Sequence, residues 1–287
     1  LFDDLALGRS GLKKTPGGLR STKESELAKL RDAHPVVGFI LEYRELQKII
    51  STYVDNLLLL VDQHQRLHTT FKQTGSATGR LSSTQPNLQN IPIAGSRSHD
   101  LRQAFIAPAG YRLVSFDYSQ IEIRVLAWLS GDPQLLEIFK RGEDVHTAVA
   151  ARVFGVAPEA VTKDMRRQAK VINFGIIYGM GVNALKANLG GSRQEAVEFY
   201  RHYFETFPTV RAYLEKVKTE ARTKGYTTTW FGRRRYFAGL KSPIPYIRAM
   251  HERMAMNAPL QGTAADIVKL AMVAVDKLLI ERQLKNK

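Results

Sequence analysis

The sequence predicts an α+β protein with more helix than sheet. Three observations carry that prediction. From Ile121 onward, apolar residues recur at helical spacing. Only two short runs before that point read as strands, 66–73 (RLHTTFKQ) and 111–116 (YRLVSF), each rich in β-branched or aromatic residues. Gly and Pro punctuate the helical part at points that suit helix ends. Apolar residues make up 44% of the 287 and are spread along nearly the whole length, which argues against disorder and allows a large core in more than one lobe.

Taken in order, residues 8–22 (GRSGLKKTPGGLRST) read as a mobile basic loop. Ser21 and Thr22, followed by Glu24, look like the start of a helix over 26–33. Residues 36–60 are helical by pattern, with Val37, Ile40, Leu41, Leu46, Ile49, Ile50 and Val54 on the apolar face. Residues 74–100 form a long polar, turn-rich segment, and so long a loop inside a compact chain usually has a job. The helical remainder is expected to break at Gly131-Asp132-Pro133, Pro158, Gly190-Gly191 and Pro208. A small β or turn element over 224–237 is interrupted by Gly232, and a last long helix over 248–281 carries a break at Pro259.

Charge narrows the partners. The 42 Lys and Arg against 27 Asp and Glu leave a net +15. Such an excess favours a polyanion, nucleic acid first and an anionic membrane second, although a basic soluble enzyme has the same balance. No stretch of 18 apolar residues exists, so no membrane span is expected. The first residues lack both a basic n-region and an apolar run, so no secretory signal is expected, and the missing initial Met suggests a fragment. The absence of cysteine excludes disulfides and thiolate metal sites. A metal would have to be held by carboxylates, His or backbone oxygens, and hard oxygen ligands suit Mg²⁺.

Two constellations stand out. Asp117 follows the apolar run 111–116 directly and would sit at a sheet rim, open to a hydrated cation. The competing reading is an N-cap for the helix that begins near Glu122. Arg166, Lys170, Phe174 and Tyr178 recur every four residues, about 1.1 turns per step on an α-helix, and so form one slowly turning stripe. Cations on phosphates and rings near base and sugar would let the stripe meet a nucleotide lengthwise. An ordinary amphipathic helix with a cationic end and a buried aromatic end has the same spacing.

The strings themselves resemble family A DNA polymerases, the bacterial polymerase I type. Residues 117–124 (DYSQIEIR) look like the family's motif A, and 166–179 (RRQAKVINFGIIYG) like its motif B. Residues 78–92 (TGRLSSTQPNLQNIP) resemble the segment that tracks primer and template, and ERMAMNAPLQGTAAD resembles the helix at the primer end. The resemblance runs from Leu1 to about Glu281. It implies a right-hand architecture, with part of the thumb at 1–60, palm at 61–122, fingers at 123–244 and palm again at 245–287. It implies template-directed DNA synthesis on a primer 3′-OH by two-metal phosphoryl transfer. Two Mg²⁺ ions (Mn²⁺ can substitute) would be bound by Asp117 and the Tyr118 backbone carbonyl.

The resemblance also implies residue roles. Arg166 and Lys170 hold the incoming triphosphate. Phe174 packs on sugar and base, and Tyr178 stacks over the templating position. Glu122 closes the pocket against a ribose 2′-OH, and Gln120 and His146 lie by the nucleotide. Phe at 174, where a Tyr in this family admits dideoxynucleotides, implies discrimination against them. Arg80, Asn87, Gln89, Asn90, Arg253, Asn257 and Gln261 would contact primer–template DNA. Lys48, Arg20 and, with it, Lys13 and Lys14 would grip duplex phosphates. Ile50 departs from the Lys that relatives often carry, which would remove one phosphate contact. Arg233-Arg234-Arg235 is a template-strand patch or a solvated cluster, and Asp266 reads as structural. The family's motif C, with the second metal carboxylate, is expected shortly after Lys287, so a further C-terminal polymerase segment is an expected partner. If the source is bacterial, the expected location is cytoplasmic and nucleoid-associated. The alternative is a non-catalytic fragment that binds primer–template and nucleotide.

Overall fold

The computed structural model describes Phe2, Leu5, Leu7 and residues 12–93 and 98–284. The chain divides into two compact units, one of residues 1–72 and 82–113, the other of 73–81 and 114–287.

The first unit is a short helical array with a hairpin. Helix α1 (Glu24–Leu27) runs into a 3₁₀ turn at Ala28–Leu30. Its cap is Lys23, not Ser21. The Ser21 hydroxyl instead accepts the Lys23 amide at 3.3 Å, a local turn that competes with capping. Helix α2 (Pro35–Ile49) passes through a π-turn at Ile50–Val54 into α3 (Asp55–Leu58), which matches the helical pattern over 36–60. Of the basic loop expected at 8–22, residues 8–11 lie outside the described residues. The rest is not an open loop but a bridged turn, with Lys14 paired to Arg20 and the Ser21 amide bonded to the Lys13 carbonyl at 2.8 Å. Strands β1 (Thr70–Lys72) and β2 (Ser82–Thr84) pair antiparallel, and α4 (Ser98–Gln103) follows. Leu7, Leu27, Leu30 and Val37 form this unit's small core.

The second unit is nearly all helix: α5 (Ile121–Ser130), α6 (Pro133–Lys140), α7 (Val145–Phe154), α8 (Lys163–Ile177), α9 (Val182–Leu189), α10 (Arg193–Thr206), α11 (Pro208–Lys224) and α12 (Pro245–Glu281). Between α11 and α12 lies the hairpin β3 (Tyr226–Thr228) and β4 (Arg234–Tyr236). The expected breaks fall where the sequence places them. Gly131 ends α5 in the left-handed region, and the buried Asp132 caps α6 through the amides of Gln134 and Leu135, both at 3.1 Å. Gly190 closes α9, and Ser192 and Glu195 form a capping box at the start of α10. Ile123, Leu126, Leu135, Ile138, Ile172, Ile177, Tyr203, Phe207 and Leu260 fill the core around which these helices pack.

Two expectations are corrected. Residues 111–116 form no strand. Among the described residues the only sheets are the two hairpins, and Val114 and Phe116 are 68% and 87% exposed. A β-pattern becomes a strand only when a partner offers the ladder, and none lies alongside. Pro259 does not break the last helix. It sits inside α12, buried with Ala258 and Leu260, so tertiary packing offsets the missing N–H.

Candidate active site

Helix α8 supplies the scaffold. Its Thr162 cap accepts the Met165 amide at 3.2 Å, and Ala169, Ile172, Asn173, Ile176 and Ile177 bury one face. The other face carries the stripe: Arg166 and Lys170 exposed, Phe174 half-buried and Tyr178 exposed. The aromatic end is therefore open, unlike that of an ordinary amphipathic helix.

At the end of the stripe lies a three-residue network. Glu122, in the first turn of α5, is buried. Its carboxylate pairs with the Arg80 guanidinium and accepts the Tyr178 hydroxyl at 3.3 Å. The geometry thus brings together three residues singled out separately in the sequence. Just before α5, Gln120 takes the left-handed conformation at φ 52°, which turns the chain from the exposed Asp117-Tyr118 into the helix. The Asp117 carboxylate takes part in no hydrogen bond or ion pair among the described residues.

At the cationic end, Arg166 makes a two-pronged pair with Asp144, Nε to Oδ1 at 3.1 Å and Nη2 to Oδ2 at 3.0 Å. Asp144 also caps α7 through the Thr147 amide at 2.8 Å. Burial pushes the Asp144 carboxyl up, but Arg166 and Thr147 together outweigh it and hold the pKa at about 2. His146, two residues on, is buried, with its ring centroid 5.7 Å from that of Phe174. The Asn173 side-chain amide lies 3.1 Å from His146 Nδ1 and hydrogen-bonds the ring. Burial, with Arg166 and Lys170 nearby and partly countered by Asp144, lowers the His146 pKa.

Helix α12 closes the far side. Asn257 is buried and donates to the Ile177 carbonyl at 2.8 Å, whereas Arg253 is exposed and Gln261 half-buried. Gly179, at φ +64°, lies against Arg253, and a Cβ there would stand 3.0 Å from the Arg253 Cγ. Arg233 is half-buried and held by three acceptors. It bonds Asp266 Oδ1 at 3.0 Å and the carbonyls of Thr78 and Gly262 at 2.8 and 3.0 Å. Arg234 lies over the Tyr226 ring and Arg235 over Phe237.

The first unit holds the remaining residues. Lys13, Lys14, Lys48, Asn87, Gln89 and Asn90 are exposed, and Arg20 lies over the Phe2 ring. Asn87 caps the 3₁₀ turn at Leu88–Asn90 by accepting the Gln89 amide, and the Asn90 carbonyl accepts the Tyr53 hydroxyl. Sequence reasoning missed Asp144 and Asn173. The spacing of Asp144 to Thr147 signals a cap, but nothing in it signals Arg166.

Over residues 1–287 the chain matches the family DNA polymerase family A. It is 53% identical over 274 residues to the thermostable DNA polymerase I of Thermus caldophilus, which covers 95% of this chain and 33% of that protein. It is 48% identical over 281 residues to DNA polymerase I of Deinococcus radiodurans, 97% of this chain and 29% of that protein. The POL domain of Pol1 from M. smegmatis, solved in complex with DNA primer-template and dNTP, superposes with a TM-score of 0.87 at 43% identity, covering 99% of this chain and 50% of that one. The chain spans about a third of the length of the curated relatives it matches. The fold is a helix-dominated α+β arrangement similar to that of a family A POL domain. The chain belongs to DNA polymerase family A.

Proposed function

We propose that this chain is the nucleotide- and DNA-handling part of a DNA-directed DNA polymerase, which adds deoxynucleotides to a primer 3′-OH under the direction of a template. The observation that carries this reading is the open stripe of Arg166, Lys170, Phe174 and Tyr178 along α8, ending at the buried Glu122. Arg166 and Lys170 take the triphosphate, one as a fork and one as a point charge. Phe174 lies against sugar and base. Glu122, buried at the end of the stripe, closes the pocket against a ribose 2′-OH and so favours deoxyribose. His146, packed beside Phe174, lies by the same anion, and Gln120 shapes the turn beside it. Arg80, released from Glu122, is free to reach the primer end, where minor-groove contacts test pairing shape without reading sequence. Asn87, Gln89, Asn90, Arg253 and Gln261 face DNA, and Lys48 and Arg20 its phosphates. Asn257, which also holds the end of α8, belongs with them. The right-hand subdivision into thumb, palm and fingers at 1–60, 61–122, 123–244 and 245–287 belongs to the same reading, as does a cytoplasmic, nucleoid-associated location. Among the described residues no helix is long and apolar enough to cross a membrane.

Asp117 offers hard oxygens that suit Mg²⁺. Among the described residues, however, no three His, Cys, Asp or Glu gather into a metal-holding group. These residues therefore do not fit a pair of ions by themselves. The proposal includes a second carboxylate from a further C-terminal polymerase segment. Supporting it, the last part of α12 leaves Leu270, Met272, Val273 and Ile280 more than half exposed, an apolar surface that such a segment would cover.

Primer extension with Mg²⁺ and four deoxynucleotides tests this, with the chain alone and with a separate C-terminal palm segment. Extension only with the added segment supports the reading. No extension in either case, with nucleotide-dependent DNA binding intact, favours a non-catalytic binding fragment.

A further inference from the structure

The first cation of the stripe is already engaged. Arg166 presents its fork to both carboxylate oxygens of Asp144, the same parallel two-bond geometry that a guanidinium makes with a phosphate. Asp144 is anchored independently of Arg166, because the Thr147 amide and hydroxyl both bond its Oδ1 at 2.8 Å. The carboxyl stays ionised across the neutral range. The two side chains are 47% and 38% exposed, so an anion can reach them from solution. One turn further along α8, Lys170 forms no ion pair among the described residues. The stripe thus carries one open cation and one occupied fork.

We infer that Asp144 occupies the Arg166 fork in place of a phosphate, and that an incoming triphosphate has to displace it. This inference rests on the nucleotide reading of Arg166 given above. The physical consequence is a competition. A triphosphate gains the Arg166 contact only by giving up the Asp144 pair, and the displaced carboxylate then stands beside like charge. Asp144 therefore weakens the hold on any ligand that reaches Arg166, the triphosphate on entry and the pyrophosphate on exit. It is a specificity residue for the strength of the phosphate grip, and the chemical class it discriminates is linear polyphosphate.

The variant Asp144→Asn separates the roles. The amide oxygen still accepts from Thr147, so the α7 cap survives, while the charge that holds Arg166 is gone. Asp144→Ser, another capping residue without charge, serves as the second variant. Inorganic tripolyphosphate, without added metal, is titrated into the full chain by calorimetry. Both variants should bind roughly two- to fivefold tighter than the parent, the range expected for one partly exposed ion pair. The gain should vanish when Arg166→Gln is added. Equal or weaker binding by both variants overturns the inference, because Asp144 would then be positioning Arg166 for phosphate instead of competing for it. The single variant Arg166→Gln separates the two failures. If it weakens binding while the Asp144 variants fail to tighten it, only the inference falls. If it leaves binding unchanged, the nucleotide reading of Arg166 falls as well.

Discussion

Asn257 on α12 donates to the Ile177 carbonyl at 2.8 Å and so satisfies an acceptor that the end of α8 leaves open. The last turn of a helix has four carbonyls without intrahelical donors. Those of Phe174, Gly175 and Ile176 are met by the amides of Tyr178, Met180 and Gly179, and Asn257 meets the fourth. Asn257→Ala should therefore destabilise the chain by roughly 1–3 kcal/mol, the cost of a buried unpaired carbonyl. Urea denaturation would show this as a lower midpoint at constant slope. A midpoint unchanged from the parent would mean that water reaches Ile177 instead.

Arg233 should matter as much for a different reason. One guanidinium serves the Asp266 carboxylate and two backbone carbonyls, from Thr78 and Gly262. Gly79, at φ +81°, has no Cβ because the guanidinium occupies that space. Arg233→Ala leaves Asp266 with a poorly solvated charge and should cost about 2–3 kcal/mol, discounted from the fully buried case because Arg233 is 33% exposed. Arg233→Lys should recover less than half, since an ammonium cannot span three acceptors in a fork. Thermal melts of the two variants side by side check both the loss and its partial recovery.

Helix ends are legible in this sequence where a turn residue and a cap coincide, as at Gly131 with Asp132 and at Gly190 with Ser192. The run 111–116 is not, because β-branched and aromatic content says nothing about whether a neighbouring strand exists. Pro259 misleads because local propensity is weaker than the packing around Leu260. In the site, the helical period alone fixes the Arg166-to-Tyr178 stripe. Its partners are not fixed that way. Asp144 lies 22 residues from Arg166, and His146 lies 27 from Asn173, and these pairs meet only because α7 packs on α8. The family resemblance marks Asn257 for DNA, and its bond to the Ile177 carbonyl, 80 residues away, is not signalled by the sequence.

His146 should make stability fall on the acid side. Its pKa in the folded chain is lowered from 6.5, by burial first. Below 6.5 the unfolded chain therefore takes up a proton that the native site refuses, and stability drops as pH falls from there. Arg166 and Lys170 add like charge that also resists protonation, and Asp144 opposes them. Asp144 acts in a separate window: its contribution is present above 3.8 and is lost as pH falls towards about 2. Melting temperatures between pH 7 and pH 5 should slope less in His146→Gln than in the parent. Parallel slopes would remove His146 as the source.

Phe174→Tyr, in a polymerase completed with the C-terminal segment, should raise dideoxynucleotide use relative to deoxynucleotide by about tenfold, the worth of one added hydrogen bond of roughly 1.4 kcal/mol. The Phe174 ring is half-buried, and an added hydroxyl would stand in for the missing 3′-OH. Competitive single-nucleotide extension reads the ratio directly, and an unchanged ratio would take Phe174 off the sugar.

The Arg80–Glu122 pair allows a sharper test, because its two members are unequally exposed, 52% and 9%. Removing the exposed partner is the damaging change. Arg80→Ala strands a carboxylate that keeps only the Tyr178 hydroxyl at 3.3 Å, and should cost about 1–3 kcal/mol once solvent screening of Arg80 is allowed for. Glu122→Gln removes the charge but keeps an acceptor for Tyr178, so it should cost less than about 1 kcal/mol. The double variant decides the cause. If the unpaired charge is what destabilises Arg80→Ala, adding Glu122→Gln should restore most of the loss, a coupling visible in a double-mutant cycle by urea denaturation. If the two losses simply add, the damage lies in the packing of the Arg80 side chain, and the network is an incidental contact of a loop that the protein holds by other means.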